Sequence, residues 1–127
     1  GGAHVGMICD GSFPTTLITH WARDRSYGRL PLEFLIKRQA HDTARALGLT
    51  DRGLLRPGLR ADVNLIDLDR LALLPPDVAR DLPAGGRRLV QRARGIRATL
   101  VAGQITYRDG EATGALPGRL LRGSTSG

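Results

Sequence analysis

Aromatic side chains are scarce in this sequence: they make up 4% of 127 residues. Any core must therefore rest on Leu, Val, Ile and Ala, and a stacking platform of the kind that grips single-stranded bases is not available. Lysine is nearly missing, with Lys37 alone against many arginines. The formal charge of +7 is consequently spread from Arg23 to Arg122 without a compact basic run. That pattern argues against a nucleic-acid partner. One cysteine, Cys9, rules out an internal disulfide and points to a reducing, cytoplasmic setting. No apolar run approaches the roughly 20 residues of a membrane span, so no membrane partner is expected.

What remains, 41% hydrophobic and 24% charged, suits a globular domain. The start, Gly1-Gly2-Ala3-His4, has no basic leader and lies close to an apolar run. It reads as a cut edge rather than a native terminus.

Val5-Gly6-Met7-Ile8-Cys9 has the form of a strand buried on both faces, and it runs into the polar turn Asp10-Gly11-Ser12. Pro14 suits the first turn of a helix over Thr15 to Arg23, with Leu17, Ile18 and Trp21 on one face. Pro31 opens a second helix, with Glu33 in its first turn where the macrodipole favours an acid. A third, short helix spans about Thr43 to Leu47, capped by Asp42 and closed by Gly48. From Asp51 the pattern changes to short β-rich runs. Val63 to Asp67, Arg88 to Ala93 and Arg97 to Val101 read as strands, and Gln104 to Arg108 as the return arm of a hairpin turning at Ala102-Gly103. Leu71 to Pro83, with three prolines, reads as an irregular connection, and Asp109-Gly110 as another tight turn. Ser124 to Gly127 reads as a disordered tail. The first part, lacking neighbours for its strand, calls for a larger sheet than the chain contains.

Asp10 is the sharpest chemical feature. In parallel α/β folds catalytic groups sit where strands end, and a carboxylate there can ligate a metal and accept the proton of a metal-bound water. From position alone, stabilising the turn or capping the helix explains Asp10 equally well. Cys9 beside it could suggest a cysteine hydrolase, but adjacent strand residues face opposite ways, and a buried inert thiol is the better account. His4 reads as a solvated terminal residue, His20 and Trp21 as packing or surface residues, and Ser12 as a helix cap.

Gly53-Leu54-Leu55-Arg56-Pro57-Gly58-Leu59-Arg60-Ala61-Asp62-Val63-Asn64-Leu65-Ile66-Asp67 resembles the segment by which metal-dependent amidohydrolases enter their C-terminal β-sandwich. Gly58 permits the turn there, and Asp62 can bond nearby backbone. Val101 to Ile105 with Asp109-Gly110 resembles the hairpin closing that module. Ala115-Leu116-Pro117-Gly118-Arg119-Leu120-Leu121-Arg122-Gly123 is similar to the closing segment of the N-acyl-D-amino-acid deacylase (D-aminoacylase) branch. The resemblance implies an α+β fragment: the last strand and helices of a (β/α)8 barrel over residues 1–50, then a C-terminal β-sandwich over 51–123, with 124–127 as tail. It implies a zinc cofactor and an N-acyl amino acid substrate, cleaved to a carboxylate and a D-amino acid. It places Asp10 as general base and metal contact. The family's other metal ligands lie upstream of this region, so the missing N-terminal barrel of the same polypeptide is an implied partner, and the fragment alone is expected to be inactive. His4, His20 and His41 do not reproduce the spacing of those ligands, and Cys9 stands where the family often has Ser. Two alternatives remain open: another amidohydrolase activity, such as a cyclic amide hydrolase or deaminase, and a β-rich binding module without catalysis.

Overall fold

A computed structural model describes residues 10–121, with Asp10 placed by its backbone alone. The expected strand Val5–Cys9, His4, the tail 124–127 and the last two residues of the closing segment lie outside the described residues. Within them the architecture is α+β, with helices first and antiparallel strands after. No helix among the described residues is long and apolar enough to cross a membrane.

A 3₁₀ turn, Asp10–Ser12, leads directly into α1 (Phe13–Ile18), which continues as a π-helical segment over Thr19–Asp24. Pro14 lies in the first turn of α1, where its missing N–H costs nothing. The chain re-enters helix after Pro31, whose extended backbone (ψ 135°) marks the boundary of α2 (Leu32–Lys37). Glu33 lies in its first turn and Lys37 in its last, each favoured by the helix dipole. A second π segment, Arg38–Asp42, runs without a break into α3 (Thr43–Ala46). The expectation that Asp42 caps a separate helix is therefore corrected. Its backbone is already helical and its side chain makes no cap bond. It accepts instead from Lys37 Nζ at 2.7 Å and Arg38 Nη1 at 3.1 Å. Gly48 ends the helix in the left-handed region (φ +71°), with the Leu49 N–H donating to the Ala44 carbonyl at 2.8 Å.

The β region holds a four-stranded antiparallel sheet in the order β1 (Val63–Ile66), β6 (Ile96–Val101), β7 (Gln104–Arg108), β8 (Glu111–Ala112). β6 and β7 join at Ala102 (φ +51°) and Gly103 (φ +78°). Two successive positive φ angles are the type I′ geometry that matches strand twist. β7 and β8 turn the same way at Asp109 and Gly110. Two smaller ladders pair β2 (Ala72–Leu73) with β5 (Ala93–Arg94), and β3 (Asp77–Leu82) with β4 (Gly86–Val90). The expected irregular connection from Leu71 to Pro83 thus contains two strands. Its prolines flank them rather than interrupt them, since Pro75 and Pro76 precede β3 and Pro83 follows it.

Few residues are fully enclosed. Among the described residues Ile18, Leu35 and Ala44 are the buried hydrophobic side chains of the helical segments, with Ala44 close to Gly53, and Ala98 is buried in the sheet. Leu71, 1% exposed, is the most deeply buried side chain among the described residues and lies just before β2, which packs on α1. Arg23 Nη1, from the π segment after α1, donates to the Leu68 carbonyl and ties the helices to the β region.

Candidate functional site

The turn Asp10–Ser12 is held by the helix it enters. Ser12 occupies the N-cap position of α1 in helical backbone conformation (φ −80°, ψ −9°), and its side chain makes no capping bond, contrary to expectation. The first turn of α1 is fixed from elsewhere: Gln39 Nε2 donates to the Pro14 carbonyl at 3.1 Å, across 25 residues of sequence. Leu35, 2% exposed, anchors the helix that presents Gln39. The side chains of Asp10 and Cys9 lie outside the described residues, so the structure positions the turn and not the carboxylate.

His20 and His41 fall on separate helical segments. His20 is exposed and meets Trp21 edge-on, with ring centroids 5.5 Å apart. The Arg25 guanidinium lies 4.3 Å above the Trp21 ring and 5.2 Å from that of Tyr27, which occupies those faces with a cation of the protein itself. His41 carries a buried Nδ1 with no hydrogen-bond partner. No group of three or more His, Cys, Asp or Glu that could hold a metal ion occurs among the described residues. A catalytic zinc needs about three protein ligands. The described donor set therefore does not fit a zinc ion by itself.

The Ala61-Asp62 pair behaves as its motif suggests. Asp62 Oδ1 accepts from the Ala102 N–H at 2.8 Å and from Arg60 Nε at 2.9 Å, while Oδ2 accepts from Arg52 Nη1 at 3.3 Å. The Gly103 N–H donates to the Ala61 carbonyl at 2.9 Å. The segment that enters β1 thereby clamps the β6–β7 turn through the Asp62 carboxylate and the Ala61 carbonyl.

A wide groove of about 1110 Å³ runs between the β3–β4 hairpin and the main sheet. Its walls carry both signs of charge. Arg88 meets Asp81 at 2.6 Å and Arg97 meets Asp109 at 3.4 Å. Such a lining concentrates no single charge for a ligand. The Gln39–Pro14 and Arg23–Leu68 bonds are not legible in the sequence, because a side chain reaching a distant carbonyl leaves no local pattern.

The model of the amidohydrolase family matches residues 3–107. An allantoinase from Deinococcus radiodurans is 36% identical over 95 residues, covering 73% of this chain and 20% of the relative. The chain thus spans about a fifth of the length of the curated relative it matches. No solved structure matches it.

Proposed function

The chain belongs to the amidohydrolase family, and from that premise we propose that it is the C-terminal part of a hydrolase that cleaves the amide of N-acyl-D-amino acids. The observation that carries this reading is the ordered set of segments around the helices and sheet. Asp10-Gly11-Ser12 opens α1, Gly53 to Asp67 enters β1, and Ala115 to Gly123 follows β8. In this reading residues 1–50 complete a (β/α)8 barrel supplied by the rest of the polypeptide, and 51–123 form most of a β-sandwich.

Asp10 is the residue of this chain assigned to the chemistry. Its carboxylate accepts the proton of the attacking water and returns it to the leaving amine, so that the products are a carboxylate and a free D-amino acid. The family's zinc would be held mainly by residues outside this chain, with Asp10 as its one contact here. A second reading is hydrolysis of a different amide, and the name of the allantoinase relative favours that class of alternative.

Purified full-length protein assayed on N-acyl-D-amino acids, their L enantiomers and allantoin separates the two readings. Turnover confined to the D series supports the first, and turnover of allantoin alone replaces it with the second. Asp10→Asn in the same protein should lower kcat by roughly 10²–10⁴ with little loss of stability. Asn is a comparable helix cap, so near-normal turnover would reduce Asp10 to a structural residue.

A further inference from the structure

We infer that Gln39 is a positioning residue for Asp10, acting through the first turn of α1; the inference rests on the reading of Asp10 as general base. Asp10 stands four residues before Pro14, one helical turn away, in a 3₁₀ turn continuous with α1. The amide of Gln39 ties the first turn of α1 to a second helical segment, donating to the Pro14 carbonyl in a part-buried contact.

Gln39 is itself held. It lies in the π segment Arg38–Asp42, and its own carbonyl accepts the Thr43 hydroxyl at 2.7 Å. The same Thr43 hydroxyl lies 3.0 Å from the Ala40 carbonyl, so its one proton is shared between neighbouring carbonyls of the π segment. Leu35, one turn earlier, is buried, and α2 packs on α1. The route from Gln39 to Asp10 therefore runs through the Pro14 carbonyl and the continuous backbone of the 3₁₀ turn. Errors of about 1 Å in a catalytic group can cost roughly 10²-fold in rate, so one pinning bond at this distance is enough to show in kcat.

Two substitutions remove the bond in different ways. Gln39→Met keeps the length and volume but cannot donate, and Gln39→Glu sets an oxygen against the Pro14 carbonyl. In the full-length protein both should lower kcat roughly 3- to 30-fold while KM changes less than about twofold. In an Asp10→Asn background Gln39→Met should have little further effect on kcat, because the group it positions is already disabled. Amide hydrogen exchange should speed up at residues 15–18 and remain unchanged in the β region. Unchanged kcat in an active enzyme, or the same fold-loss with and without Asp10, would overturn the inference. If the wild-type protein hydrolyses no N-acyl-D-amino acid, the functional reading falls on that result. Exchange at residues 15–18 then decides on Gln39 alone: faster exchange in both variants upholds the pin, and wild-type exchange refutes it.

Discussion

A methyl group built on Gly95 would lie 2.6 Å from both Cα and N of Leu71. Gly95 also has φ +91°, where a side chain is strained. Gly95 joins β5 to β6, and its backbone passes close against that of Leu71, the most deeply buried of the described residues. The backbone atoms in the way cannot swing aside as the end of a side chain could. Gly95→Ala should therefore destabilise by about 2–4 kcal/mol. Gly103→Ala is the matched comparison, since Gly103 has φ +78° but nothing within 4 Å of its added Cβ. That change should cost only about 1 kcal/mol. Urea midpoints of the two variants in the full-length protein check the ranking, and equal shifts would mean that the close approach to Leu71 costs nothing.

The β3–β4 hairpin depends on a different kind of contact. Arg88 donates through Nε and Nη2 to the two carboxylate oxygens of Asp81, at 2.7 and 2.6 Å. The Arg88 hydrogen bonds hold the Asp81 carboxyl below its ordinary value. A depressed folded-state pKa means that the stabilisation is fully present above the unfolded value, about 3.9. It fades as the pH falls through that value and is gone below the folded one. Because the pair is solvent-exposed, the effect should be small and should shrink in high salt. Unfolding midpoints measured from pH 6 to pH 2 should fall less steeply for Asp81→Asn than for wild type. Identical slopes would show the pair to be idle. Of this hairpin, β4 overlaps the expected strand Arg88 to Ala93, which divides between β4 and β5, whereas β3 falls in the expected irregular connection. β1, β6 and β7 were legible because Val63 to Ile66 and the arms around Ala102-Gly103 carry strand composition with turn chemistry between them. β3 was not, because its run Asp77-Val78-Ala79-Arg80-Asp81-Leu82 is polar and sits among prolines. A strand of that composition is specified by its partner rather than by itself. The two π segments were likewise invisible, since no residue type marks an i→i+5 turn in a helical sequence. For the candidate site, the turn after an apolar run identified Asp10, whereas nothing around Gln39 foretold its long-range bond.

Across the whole molecule, the contacts differ greatly in how far along the chain they reach. Val101 faces Gln104 across a two-residue turn, while Val63 faces Leu100. A two-residue hairpin closes in roughly 1–10 μs, but pairing β1 must first close the long loop that includes β2 to β5. The clamp from Asp62 to the Ala102 N–H spans a similar separation, 40 residues. The β6–β7 hairpin is thus the natural nucleus, with β1 and its clamp arriving after the rate-limiting barrier. In folding kinetics, Ile105→Val in β7 should slow folding, with a φ-value above about 0.5, whereas Val63→Ala in β1 should mainly speed unfolding, with a φ-value below about 0.3. The reverse order would place the nucleus at β1. With β1 docking late, Asp62 acts as a latch on a hairpin that has already formed, and its loss should shorten the lifetime of the folded sheet while leaving the speed of its assembly intact.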